Sequence, residues 1–131
     1  MTPIERTLER WHTTLAGKDA EGLDALLADD AVFVSPVVHT PQRGKAITKA
    51  YLAAALQVFG QPSFRYLDEI VGAHRAVLEF SLEIEGVEIN GVDMITVNER
   101  GEITEFKVMI RPLKAIQLIH RMMGEMLARR A

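Results

Sequence analysis

The stretch Ala76-Val77-Leu78-Glu79-Phe80-Ser81-Leu82-Glu83-Ile84-Glu85 decides the fold. Leu78, Phe80, Leu82 and Ile84 fall on one side of an extended chain, and Glu79, Ser81 and Glu83 fall on the other. Alternation with a period of two marks a strand with one buried face and one wet face, the usual pattern of an antiparallel sheet. The same period continues through 64–73, 87–98 and 102–111, with Gly72, Gly86 and Gly101 in the connections. Asn98-Glu99-Arg100-Gly101 has the composition of a hairpin turn, and Pro112 stops the last strand.

Upstream the period is helical. Thr2-Pro3-Ile4-Glu5 combines a capping threonine, a proline at the first helical position and a glutamate able to complete a capping box. Ile4, Leu8, Trp11 and Leu15 then form one apolar stripe that Gly17 ends. Asp19 is placed to cap a shorter helix carrying Leu23, Leu26 and Leu27. Residues 31–35 read as a strand stopped by Pro36, and the chain loops to Gly44. A third helix follows, with Ile47, Tyr51, Leu52, Ala55, Leu56 and Phe59 on its apolar side, ending at Gly60 and Pro62. Beyond Pro112, Leu113, Ile116, Ile119, Met122, Met123, Met126 and Leu127 build a final amphipathic helix. Helices first and antiparallel strands later predict an α+β domain, with the helices covering the apolar face of the sheet.

The 131 residues fit one domain, spanning 1–131. A net charge of -3 and no clustered Lys or Arg beyond Arg129 and Arg130 argue against nucleic acid as a partner. The absence of cysteine excludes disulfides, thiol nucleophiles and Cys-ligated metals, and fits a cytoplasmic protein. No apolar run approaches the length of a membrane span, so no membrane association is expected. The charged, helical start MTPIERTLERWH does not read as a signal peptide. No P-loop, G-x-G-x-x-G, G-x-S-x-G or H-x-x-x-H pattern occurs, so no cofactor or metal is expected.

Several segments resemble ketosteroid isomerase-like and SnoaL-like domains of the nuclear-transport-factor-2-like superfamily. They are Arg10-Trp11, Lys18-Asp19-Ala20, the run 26–31, Ser35-Pro36, Gly44, Ala46-Ile47, Gly91-Val92-Asp93 and the run 101–106. The resemblance implies a cone-shaped fold: a curved antiparallel sheet, N-terminal helices over it, one pocket between, and here an extra C-terminal helix. It also implies functional positions. Trp11 stands where ketosteroid isomerases have a tyrosine donor, and Ser35 where they have a proton-shuttling carboxylate. Asp93 matches their second, protonated carboxylate, and Val108 matches an aspartate of limonene-epoxide hydrolases and polyketide cyclases. One position of the four is kept. An isomerase needs a base to move a proton between carbons. Ser35 without an activating partner is a poor one, which argues against steroid isomerase activity.

Asp93 lies among Val92, Met94, Ile95 and Val97, and alternation puts it on one face with Ile95 and Val97. Buried in a pocket, its carboxyl is expected to have a raised pKa and to donate a hydrogen bond to a ligand carbonyl or oxyanion. The competing reading is an acid satisfied by a structural partner. His39, in the loop after Pro36, is a candidate base at the pocket mouth or else an exposed loop histidine. Trp11, Phe33, Ser35, Tyr51, Phe59, Phe80, Leu82, Ile95 and Val108 are the expected ligand-binding wall, or alternatively a filled core. Arg111 falls on the opposite face, where an ion pair with Glu105 or Glu83 is expected. That face also carries Val77, Val92, Met94 and Met109, which suggests a symmetric homodimer. Two functions follow as expectations. One is a module binding a small, largely apolar molecule. The other is an isomerase-, cyclase- or hydrolase-like enzyme using Asp93, with His39 or a water on Ser35 moving the proton.

Overall fold

The structure, a computed structural model, describes residues 1–130. Helix α1 (Pro3–Gly17) starts as its sequence dictates: the Thr2 hydroxyl accepts the Glu5 N–H at 3.2 Å, and the Glu5 carboxylate accepts the Thr2 N–H at 2.8 Å. Its stripe of Ile4, Leu8 and Trp11 is buried, and Lys18 closes the helix in the left-handed region. The second helix is only one turn, α2 (Leu23–Leu26), capped by Gly22 and not by Asp19. Leu27 already belongs to strand β1 (Leu27–Val34), which is longer than the apolar run suggested because Asp29 and Asp30 face solvent within it. A two-residue strand β2 (Gln42–Arg43) and helix α3 (Lys45–Val58) follow. Ile47 is exposed, since the core-facing side of α3 is set by Thr48, Leu52 and Leu56. Strands β3 (Arg65–Val71), β4 (Arg75–Ile84), β5 (Val87–Val97) and β6 (Ile103–Arg111) precede helix α4 (Leu113–Arg130).

The six strands form one sheet in the order β2-β1-β6-β5-β4-β3. All neighbours pair antiparallel except β1 and β6, which run parallel, so the sheet is mixed. A parallel pair needs a long connection, and here α3 and the four strands β2 to β5 provide it. Alternation reports faces, and it carries no information on the direction of a partner. On β4 and β5 the alternation is strict: Ala76, Leu78, Phe80, Leu82 and Ile84 are buried, as are Ile89, Gly91, Asp93, Ile95 and Val97. The helices cover this inner face, with α1 against β5, α3 against β1, and α4 against α3, β5 and β6.

Gly91 pairs with Phe80, and the Phe80 ring lies over it. A Cβ there would collide with that ring and with the Met109 carbonyl, so glycine at 91 lets Phe80 lie flat on the sheet. At one end of the sheet Thr7 donates to the Gly101 carbonyl, which holds the start of α1 over the buried Ile95, Val97 and Ile103. At the other end Leu82, Ile84 and Ile89 are also packed shut.

Candidate functional site

Between those filled ends the inner face stands clear of the helices and leaves a cavity of about 220 Å³. Its wall gathers residues that are far apart in sequence: Trp11 from α1, Phe33 from β1, Tyr51 and Phe59 from α3, Phe64 and Tyr66 at β3, Phe80 from β4 and Phe106 from β6. These eight are all the aromatic residues of the chain. They touch one another in a nearly continuous arc. Tyr51 stacks on Phe33 at 5.2 Å between ring centres, and Trp11 tilts against Phe106 at 5.0 Å. Phe64 stacks on Phe80 at 5.5 Å, and Phe59 meets the Phe80 ring edge-on at 5.6 Å. A cavity walled in this way favours a flat, apolar guest.

One carboxyl group enters it. Asp93 sits on β5 between Leu78 and Val108 and is 7% exposed. The Tyr66 hydroxyl lies 2.6 Å from Asp93 Oδ2, and the Trp11 indole nitrogen lies 2.9 Å from that hydroxyl. An indole N–H only donates, so Tyr66 accepts from Trp11 and gives its own proton to Oδ2. The direction of the chain Trp11 to Tyr66 to Asp93 is thereby set. Oδ1 has no protein hydrogen bond among the described residues and opens on the cavity.

Burial pushes the Asp93 pKa up to about 7, and the Tyr66 hydrogen bond, which favours the carboxylate, opposes the rise. Burial, followed by the nearby Asp93 charge, raises the Tyr66 phenol well above its ordinary value, so Tyr66 remains a donor. Both forms of Asp93 are then populated near neutrality. Protonated, it presents an O–H through Oδ1; ionised, it presents a base.

The family model for the SnoaL-like domain matches residues 8–106. The chain belongs to the SnoaL-like domain family. Among solved structures it is similar to a steroid delta-isomerase from Pseudomonas aeruginosa, at 36% identity over 98% of this chain and 94% of that one, with a TM-score of 0.92. An uncharacterized protein with a cystatin-like fold from Silicibacter pomeroyi is 32% identical over 91% of this chain and 83% of that one, with a TM-score of 0.83. A nuclear-transport-factor-2-like protein of unknown function from Mesorhizobium loti, 19% identical over 84% and 92%, shares the fold with a TM-score of 0.73. No curated protein matches the sequence.

Within this SnoaL-like domain the structure brings Asp93, Trp11, Phe33, Ser35, Tyr51, Phe59, Phe80 and Val108 together around the cavity. It leaves out three expected residues. Leu82 and Ile95 are on the inner face but lie in its filled ends, because alternation fixes a face and not a position along the strand. His39 is exposed and does not border the cavity; the loop's contribution to the wall ends at Val38. Ser35 is present but occupied, its hydroxyl oxygen accepting the N–H groups of Val37 at 3.0 Å and Val38 at 3.3 Å. It shapes the turn at the rim and is not free to hold a reacting water. Arg111 faces outward as expected, but it reaches the Asn90 side chain at 3.2 Å and not Glu105 or Glu83.

Sequence reading missed Tyr66, the partner that orients Asp93. Its flanking residues Arg65, Leu67, Asp68 and Glu69 are all exposed, so β3 shows no alternation, and a register shift between Tyr66 and Asp68 interrupts its pairing with β4. The available signal was a lone aromatic in a polar strand. Also missed were Phe64 and the α4 residues Ile119, His120, Gly124 and Leu127. Among the described residues no three His, Asp or Glu side chains come together as a metal-binding group, and no helix is long and apolar enough to cross a membrane.

Proposed function

We propose that this SnoaL-like domain binds a small, flat, largely apolar molecule, with a single carbonyl or hydroxyl oxygen directed at Asp93 Oδ1. The observation that carries this is the convergence of every aromatic side chain and one buried acid on a single cavity. Calorimetric titration with 2-naphthol, an apolar bicycle with one hydroxyl, is expected to give saturable 1:1 binding. Asp93→Leu should weaken it by about tenfold or more, the worth of a hydrogen bond to an ionisable group, and leave naphthalene binding in place. Equal loss for both compounds, or no saturation with the unmodified protein, removes the reading.

A second reading, proton transfer on that molecule, is favoured by the Asp93 pKa near 7 and by the steroid delta-isomerase relative. Protonated Asp93 would donate to a ligand carbonyl and stabilise the enolate formed when the neighbouring carbon loses its proton. His39 and Ser35 are not placed to move that proton; His120 is the imidazole that borders the cavity. The test is conversion of a β,γ-unsaturated 3-oxosteroid to its conjugated isomer, followed by ultraviolet absorbance. Asp93→Asn should depress turnover far more than it weakens binding, and turnover should fall as pH rises through about 7. Binding without conversion leaves the first reading standing alone.

We also infer a symmetric homodimer through the outer sheet face, where Met109 is 52% exposed between charged neighbours and Val77, Val92 and Met94 are half-buried. Sedimentation showing only monomer at micromolar concentration overturns this.

A further inference from the structure

The cavity has a rim on two sides. One is the loop 36–38, where Val38 is 41% exposed. The other is helix α4, whose residues Ile119, His120, Met123, Gly124 and Leu127 border the cavity at the spacing of one helical stripe. Ile119 is buried, Met123 is half-buried, and His120 and Gly124 are exposed, so the outer edge of the stripe is the turn from His120 to Gly124.

Glycine is the poorest interior helix residue after proline, and it is kept where a turn, a tight packing contact or an open space requires it. Gly124 lies in the interior of α4, and a Cβ built on it meets nothing within 4 Å. No packing contact calls for a glycine at this position. What a side chain there would occupy is the open rim. A long side chain on a helix lies back over the preceding turn, so at 124 it would cover the gap beside His120.

We propose that Gly124 sets the width of the cavity entrance, between the 36–38 loop and α4, and so limits the size of the molecule admitted. α4 begins beyond residue 106, where the match to the family model ends, so a segment outside the matched region selects by size for an aromatic wall built within it.

The chain has no cysteine, so an introduced thiol is unique and reports access without any ligand. Ala55→Cys places it on the cavity wall, and Gln117→Cys places it on the exposed surface of α4. Adding Gly124→Leu is expected to slow reaction of the Ala55→Cys thiol with N-ethylmaleimide by on the order of tenfold or more, as for an obstructed encounter, and to leave the Gln117→Cys rate unchanged. Gly124→Ala should raise the melting temperature and slow only bulkier reagents. An Ala55→Cys rate indifferent to Gly124→Leu overturns the proposal. Should the leucine variant lose its fold, Gly124→Ala with N-(1-pyrenyl)maleimide makes the same comparison, and an unchanged rate there is equally decisive against it. The inference rests on the cavity being a binding site, yet the two fail separately. Absent 2-naphthol binding with the labelling pattern intact removes only the ligand reading. Intact binding with unchanged labelling removes only the entrance.

Discussion

The two faces of one sheet are built from alternate residues of the same strands, and they differ sharply. On β5, Gly91, Asp93 and Ile95 point inward, while Asn90, Val92 and Met94 point outward. The inner face looks onto all eight aromatic residues and one acid. The outer face of the central strands has no aromatic residue and mixes Val77, Val92, Met94 and Met109 with Glu79, Lys107 and Arg111. Apolar character alone does not separate them, since both contain aliphatic side chains. What separates them is that the inner face holds an ionisable group where water is scarce. A buried acid costs stability unless it is neutral or paired. Asp93 is paired with only one donor, Tyr66, and burial prevails over that bond in setting its pKa.

The contrast can be attacked from both sides. The largest effect is expected from Phe80→Ala, which removes a fully buried ring beside Gly91 and should cost about 3 to 5 kcal/mol in urea denaturation. A loss below about 1 kcal/mol would mean that the inner face is looser than described.

Next comes the pH dependence of Asp93. Folded, it keeps its proton up to about pH 7; unfolded, it releases it near the ordinary aspartate value of 3.8. The folded state therefore binds more protons between those values, and stability from this group is full below about pH 4 and is lost as pH rises through 7. Asp93→Asn, neutral throughout, should remove that slope. Relative to the unmodified protein it should gain about 2 to 4 kcal/mol between pH 4 and pH 8 in denaturant melts. Parallel stability profiles for the two proteins would show an ordinary, solvated acid.

Tyr66→Phe should cost about 1 to 2 kcal/mol, because it leaves the Trp11 N–H without its acceptor. It should also raise the Asp93 pKa further, since the lost hydrogen bond favours the carboxylate. A carboxyl carbon titration by NMR reads that shift, and a fall in the pKa would contradict the chain of donors. The smallest effect belongs to the outer face. Met109→Ser should change monomer stability by no more than about 0.5 kcal/mol. A larger, concentration-dependent loss would place that face in a subunit contact.

Alternation in 76–85 and 87–97, the capping box at Thr2 and the stripe Ile4, Leu8, Trp11 were enough to assign the α+β class, the buried face of β4 and the shared face of Asp93, Ile95 and Val97. Each of these is a local property, because side-chain direction follows backbone period within a single element. That the face of Asp93 lines a pocket came from the family resemblance. The parallel pairing of β1 with β6, the hollow over the middle of the sheet, the displacement of Leu82, Ile95 and His39 from it, and the hydrogen bond from Tyr66 to Asp93 arose only on assembly. They depend on how separate elements lie against one another. A gap between a sheet and its helices is a relation among surfaces distant in sequence, and no period within one strand encodes it.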